Sequence, residues 1–170
     1  MDQPARDFAT GAWPAGLTRV PYWVYRDPEV ARDEQVRLFE GPGWHYLCLE
    51  VDVPEPGDYR TTMMGAMPVV VSRTEDGDVV AFENRCAHRG ALICLDDCGK
   101  VKDFQCVYHA WRYDLRGNLT SIAFRRGVNG RGGMPDDFDM TAHGPRKLRT
   151  ATLCGLVFGT LAPDAPDIET

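Results

Sequence analysis

The stretch CAHRGALICLDDCGKVKDFQCVYHAW, residues 86–111, holds four of the chain's six cysteines and two of its four histidines. The donors fall into two short groups, Cys86-x-His88 and, after a gap of 17 residues, Cys106-x-x-His109. Each group sets a thiol and an imidazole on one tight turn. The intervening chain is long enough for a strand pair that returns the second turn to the side of the first. Any fold built on these residues has to present two loops together at one end of a framework.

The flanking sequence predicts that the framework is β. Short β-rich runs occur at 44–51, 68–73, 79–84, 104–110, 111–115, 119–124 and 150–161, separated by turns. Asp76-Gly77 is a strong hairpin signal between the second and third runs, and Arg116-Gly117-Asn118 marks another turn. One helix is expected over about 28–40, with Asp27 as N-cap, Pro28 in the first turn and Gly41-Pro42 as the stop. The fold class is therefore mainly β, an antiparallel sandwich or barrel with one N-terminal helix. Residues 1–43 read as an irregular arm plus helix, 44–162 as the β domain, and 163–170 as a tail or linker without further structure. The Gly-rich polar stretch 125–149 reads as a long functional loop.

Composition narrows the partners. A chain of 170 residues and 19.0 kDa is one domain, with net charge −6 and pI near 5.2. That balance argues against nucleic acid or an anionic membrane as the main partner. No apolar run approaches the roughly 18–20 residues needed to span a bilayer. The N-terminus lacks a secretory signal. A cytoplasmic, reducing setting is expected, where cysteines serve metals or chemistry more often than disulfides.

Two chemistries suit the donors. One is a tetrahedral zinc site with two cysteines and two histidines. The other is a [2Fe–2S] cluster with two cysteines on one iron and two histidines on the other. Zinc sites usually group like with like at short spacing, whereas here each turn mixes one of each. The mixed turns suit a two-metal unit served by two loops.

CAHRG and CVYHAW resemble the Rieske fingerprint of the large (α) subunits of aromatic ring-hydroxylating oxygenases. The resemblance extends over about residues 19–162. VPYWVYRDPEVARDEQVRLFEGPGWHYL, FRRGVNG with GMPDDFD, and HGPRKLR followed by GLVFGTL are similar to the salicylate- and anthranilate-hydroxylating branch. It implies a Rieske [2Fe–2S] fold with a cluster-binding subdomain. Cys86 and Cys106 would bind the iron that stays ferric, and His88 and His109 the iron that takes the electron. Replacing two thiolates by neutral imidazoles lessens the repulsion an added electron meets, which places Rieske centres at roughly −150 to +300 mV. High-potential respiratory Rieske proteins carry a loop disulfide whose positions correspond here to Ala91 and Tyr108, so the unstapled type is implied.

Around these ligands Arg89 and Gly90 are expected to shape the first turn, with Gly90 allowing close backbone approach. Trp111 reads as a ring packed beneath the loop, limiting water, or as a core tryptophan. Tyr108 reads as a cluster neighbour or a solvent-facing tyrosine. Arg125, Arg126 and Arg131 read as a solvated face or a dock for an acidic donor. Cys94 and Cys98 are expected as a buried strand thiol and a loop thiol, Cys48 and Cys154 as core residues, and His45 and His143 as non-ligands.

In the resembled family oxygen is activated at a mononuclear iron held by two histidines and a carboxylate in a C-terminal catalytic domain. This chain shows no second histidine pair, so the expectation is an oxygenase component that relays electrons but does not itself activate oxygen. The implied substrates are salicylate-, anthranilate- or benzoate-like, in aromatic catabolism. The implied partners are a ferredoxin or ferredoxin reductase as donor, a trimeric full-length subunit, and a small β subunit as a further candidate. The alternative is an autonomous Rieske ferredoxin serving another oxygenase.

Overall fold

The run MPVVVSR builds the central strand, β3 (Met67–Arg73). Its three successive valines, Val69, Val70 and Val71, are all fully buried. Because side chains alternate along a strand, such a run needs apolar packing on both faces. Val70 joins one core with Phe82, Phe104, Trp111 and Tyr113. Val69 and Val71 join a second core with Leu47, Met64, Leu148 and Val157. The strand is the partition between them.

The computed structural model describes residues 20, 22–129 and 131–169; the arm expected over 1–20 lies, except for Val20, outside the described residues. The main sheet is antiparallel and contains β1 (His45–Leu49), β2 (Asp58–Met64), β3, β4 (Val79–Glu83), β5 (Cys98–Lys100), β9 (Lys147–Leu153) and β10 (Leu156–Thr160). Their order is β1-β10-β9-β4-β3-β2-β5. β1 at one edge approaches β2 near the other, so the sheet curls toward a barrel. A small second sheet, β6 (Phe104–Gln105), β7 (Arg112–Tyr113) and β8 (Leu119–Ser121), carries the second donor turn.

The two predicted turns form and then bind each other. Thr74 N–H donates to the Asp78 carbonyl at 2.9 Å and Gly77 sits at φ 88°, closing the β3–β4 hairpin. Asp114 Oδ1 accepts from the backbone of Arg116 and Asn118, shaping the β7–β8 turn. Arg116 then bridges to Asp76 and Asp78 at 2.6 and 2.8 Å. Beneath them, buried Ser72 donates its hydroxyl to the Leu115 carbonyl at 2.5 Å. The small sheet is thus tied to the partition strand.

The N-terminal helix starts as expected. The Asp27 carboxylate accepts from Glu29 N–H at 2.8 Å, and Pro28 occupies the first turn of α1 (Pro28–Glu34). The helix then widens into a π turn over Gln35–Phe39, closed by Glu40 N–H on the Gln35 carbonyl. Gln35 Oε1 reaches the β2–β3 turn, accepting from Ala66 N–H at 2.7 Å.

Several expectations need correction. The run 150–161 is not one strand but part of the β9–β10 hairpin, turning at Cys154-Gly155, both at positive φ. Apolar residues on both sides hide the turn in the pattern. Cys154 is therefore exposed at a turn rather than in the core. The run 104–110 pairs only over Phe104–Gln105, because the donor loop takes the remainder. β2 and β5 were not anticipated, the first being largely polar and the second three exposed residues at a sheet edge. Cys94 is buried as expected but outside any strand, whereas Cys98 is exposed and lies in β5 rather than in a loop. Cys48 is a buried residue of β1, as expected, and burial pushes its thiol up to about 11. The tail has no regular structure but is packed. Trp44 donates its indole N–H to the Pro166 carbonyl at 2.7 Å, and Arg149 donates to the carbonyls of Pro163 and Ala165. Among the described residues no helix is long and apolar enough to cross a membrane.

Phe82, fully buried, meets Phe104 edge-on at 5.5 Å, and Phe104 meets Tyr59 in the same way. Phe82→Ala should lower unfolding stability by about 3–5 kcal/mol. Urea unfolding checks this, and a loss under about 1 kcal/mol would contradict the placement of Phe82 at the centre of the first core.

Candidate metal centre

The two donor turns share one backbone design. In the first, Cys86 N–H donates to the Ala91 carbonyl and Gly90 N–H to the Cys86 carbonyl, both at 2.8 Å. In the second, Cys106 N–H donates to the Trp111 carbonyl and Ala110 N–H to the Cys106 carbonyl, both at 2.9 Å. The fifth residue of each turn adopts positive φ, Gly90 at 73° and Ala110 at 54°. Glycine takes that conformation freely; alanine takes it at a cost of about 1–2 kcal/mol. Six-residue loops of this shape leave the middle residues projecting outward while their first residue stays against the core.

The cysteines occupy that first position, and both are buried, Cys86 at 3% and Cys106 at 1% exposure. The histidines project from the loop tops, His88 exposed and His109 half-buried. His88 Nδ1 and His109 Nδ1 lie 3.1 Å apart, close enough for one metal ion to reach both at the usual imidazole distance of about 2.1 Å. Burial pushes the Cys86 thiol up, the Tyr113 hydroxyl opposes that shift, and the neighbouring Cys106 adds to it. Desolvation, then the neighbouring His109 and Arg89, hold His88 below the ordinary imidazole range, which favours the neutral ligand form. Among the described residues no three Cys, His, Asp or Glu side chains converge on one point. The donors come as a buried sulfur pair and a more accessible nitrogen pair, which fits a binuclear cluster with two unlike ends better than a single tetrahedral ion.

Trp111, 3% exposed, stacks on the His88 imidazole with ring centres 4.8 Å apart and planes at 15°. It is a core residue, and its ring covers one face of the imidazole. Tyr108 is exposed and lies against His109, with the Arg89 guanidinium 5.8 Å over its ring. A hollow of about 450 Å³ opens beside the two imidazoles, bordered by Trp111, Ile122, Phe124 and Met134. Arg125 and Arg126 line a separate hollow that also holds Asp136, so the expected basic face carries an acid within it. His45 and His143 bond to the carbonyls of Leu38 and Asp139, away from the donor turns. Cys94 and Cys98 stand apart from the donor pairs. All six cysteines are free thiols.

Two residues important to the site were not anticipated. Tyr113 is fully buried, and its hydroxyl accepts from Ala87 N–H and lies 3.1 Å from Cys86 Sγ. A thiolate at Cys86 has no proton to give, so toward it the hydroxyl is the donor. Burial pushes the hydroxyl's pKa up, and so does the bond to Cys86, so it remains a donor. Alternation with Trp111 on the same strand was the available signal. Asn84 is also buried. Its Oδ1 accepts from Ile93 and Cys94 N–H at 3.0 and 2.8 Å, and its Nδ2 donates to the Cys94 carbonyl at 2.9 Å. It pins the chain leaving the first turn.

A curled antiparallel sheet bearing two matched loops, each with one inward thiol and one outward imidazole, defines a two-loop iron–sulfur domain. The Rieske [2Fe-2S] domain model matches residues 43–129, and the chain belongs to that family. It is 55% identical over 152 residues to the terminal oxygenase component subunit alpha 2 of terephthalate 1,2-dioxygenase from Comamonas sp, covering 89% of this chain and 37% of that protein. It is 49% identical to the large subunit of anthranilate 1,2-dioxygenase from Burkholderia cepacia, covering 86% of this chain and 35% of that protein. A solved structure of naphthalene 1,2-dioxygenase with indole in its active site superposes with a TM-score of 0.77 at 31% identity, covering 86% of this chain and 32% of that one. The chain spans about a third of the length of these relatives.

The Tyr113 contacts give a test. Tyr113→Phe should lower unfolding stability by about 0.5–1.5 kcal/mol, because Ala87 N–H loses the acceptor it has among the described residues. Urea unfolding measures this; an unchanged midpoint would mean the bond contributes nothing.

Proposed function

We propose that the chain carries single electrons through a [2Fe–2S] cluster held by Cys86 and Cys106 on one iron and His88 and His109 on the other. The observation that carries this reading is the polarity of the donor set, both sulfurs buried and the nitrogens on the accessible side, His88 exposed and His109 half-buried. When bound, the cluster supplies a centre that takes up and gives up one electron. The buried thiols insulate one end, and the Tyr113 hydroxyl satisfies sulfur that water cannot reach. The imidazoles form the face from which a partner can exchange the electron, and Trp111 shields one side of that face from water.

The setting we propose is the electron-relay domain of an aromatic ring-hydroxylating oxygenase. A ferredoxin or ferredoxin reductase supplies the electron, and a mononuclear iron elsewhere in the oxygenase receives it. Residues 44–162 form the Rieske domain, 1–43 an arm and helix, and 163–170 a connection. The oxygenase subunit is a trimer in this reading, with or without a small β subunit. Terephthalate, anthranilate and salicylate, in the names of relatives 55, 49 and 42% identical, are all benzene rings bearing a carboxylate. That shared chemistry supports an aromatic carboxylate as the substrate class. An autonomous Rieske ferredoxin is the second reading. The likeness to oxygenase α and large subunits over some nine-tenths of the chain favours the first.

Purified protein should be red-brown, contain iron and acid-labile sulfide in equal amounts, and give a Rieske-type EPR signal when reduced with dithionite. His88→Ala or His109→Ala should abolish that signal, and Cys94→Ser should keep it. Colourless, zinc-containing protein would overturn the reading. In the gene, coding sequence continuing past residue 170 into a two-histidine, one-carboxylate site supports the oxygenase setting; a stop codon there overturns it. Tyr113→Phe should also lower the midpoint potential. A hydrogen-bond loss of about 1 kcal/mol from the more negative state corresponds to roughly 40 mV for one electron.

A further inference from the structure

The segment 134–143 crosses behind the donor turns without contributing a donor. Met134, Phe138 and Met140 pack from it onto the first core. Its backbone is held by local bonds: Met134 N–H to the Arg125 carbonyl, Phe138 N–H to the Pro135 carbonyl, and His143 N–H to the Met140 carbonyl. The Asp139 carboxylate accepts from the amide and hydroxyl of Thr141, at 2.8 and 2.7 Å, capping a single 3-10 turn over Met140–Ala142. His143 Nδ1 bonds the Asp139 carbonyl at 2.7 Å; since a carbonyl only accepts, that nitrogen carries the proton. This order has one output toward the metal centre.

That output is a row of four rings. His143 lies tilted against Phe138 with ring centres 4.2 Å apart. Phe138 meets the edge of Trp111 at 6.2 Å and 81°, and Trp111 lies flat on His88 at 4.8 Å and 15°. Edge-to-face and offset-stacked contacts each favour one relative orientation of the rings. The Trp111 indole thus has a ring contact with Phe138 besides its stack on His88, and the two together favour one orientation of the indole. Close by, the hollow that His88 and Trp111 both line is bordered by Met134 of the same segment, so space for water lies beside this ring pair.

We infer that 134–143 is a positioning strap in which Phe138, backed by His143, holds Trp111 against His88, fixing the plane of that imidazole and keeping water off one of its faces. Phe138 touches none of the four donors and acts through Trp111. This role rests on the cluster reading above. The hydrophobic shell of a metal site controls solvent access, and exposure tunes the potential of an iron–sulfur centre. Water admitted to the His88 face stabilises the more negatively charged state, so loosening the strap raises the midpoint potential.

The test uses redox titration and EPR of the whole chain carrying its cluster. Phe138→Ala should raise the midpoint potential and shift the g values of the reduced protein, and Phe138→Tyr, which restores the ring edge, should return both to the parent values. His143→Ala should shift both in the same direction by less. If Phe138→Ala fails to retain the cluster, Phe138→Leu, which keeps most of the volume without a ring edge, decides in its place. A potential and g values equal to the parent's, in whichever of these two variants retains the cluster, overturn the strap, even if urea unfolding shows lost stability. A parent protein with no Rieske-type signal overturns the cluster reading instead, so the two failures are told apart before any variant is made.

Discussion

The site depends on one hydroxyl. Tyr113 stands on the strand that leaves the second donor turn, yet its oxygen is bonded to the first, through Ala87 N–H and Cys86 Sγ. Each turn by itself is a small hydrogen-bonded loop that could tilt without losing its internal bonds. The relation between the two is what a shared metal unit requires, and it is set where Tyr113 links them. The buried position of that link matters, because a hydrogen bond without competing water is stronger and costly to leave unmade. Ser72 on Leu115 and Arg116 on Asp76 and Asp78 then attach the whole unit to the main sheet. The buried bond holds register; the exposed ion pairs add little energy.

Division of the interior into two cores follows from β3. One core contains both donor cysteines, Trp111 and Tyr113; the other contains the inner faces of β1, β2, β9 and β10. The second core contains none of the donors, so it can stabilise the chain by burying apolar surface alone. The first has to bury three thiols, Cys86, Cys94 and Cys106, and two phenols, Tyr59 and Tyr113, beside aromatic rings, and it pairs the Tyr113 hydroxyl with the Cys86 sulfur. Consecutive valines at 69–71 are the sequence trace of this division, since alternate residues of one strand serve opposite sides.

What could be read from the sequence was local. The pairing of Cys86 with His88 and of Cys106 with His109 on two turns is legible because each pair lies within a few residues, and the Asp76-Gly77 and Asp27-Pro28 signals specify their own backbone. The bonds of Tyr113 and Asn84 are not legible. They reach 26 and about ten residues along the chain, to partners fixed only once strands pair. The β9–β10 turn was hidden because apolar residues continue through Cys154-Gly155, where hydrophobic pattern and turn chemistry disagree. Cys154 and Cys98 were misplaced for the same reason: an apolar or loop-like neighbourhood says nothing about which strand lies at an edge.

The asymmetry of the donors also explains why the loops differ within a common backbone. The cysteine holds the first position in both turns, where its side chain is buried in the first core. The histidine takes the third position in the first turn and the fourth in the second. If both stood at the same position, two loops facing one another would carry their imidazoles to opposite flanks. Offsetting one by a residue brings the two Nδ1 atoms within 3.1 Å, and it leaves Tyr108 where the other loop carries its histidine. Ala110 accepts a positive φ that glycine would adopt without strain, which suggests that closing this second turn at its observed shape outweighs the local cost of about 1–2 kcal/mol. The strain sits on the loop that the Trp111 carbonyl closes and the strap backs.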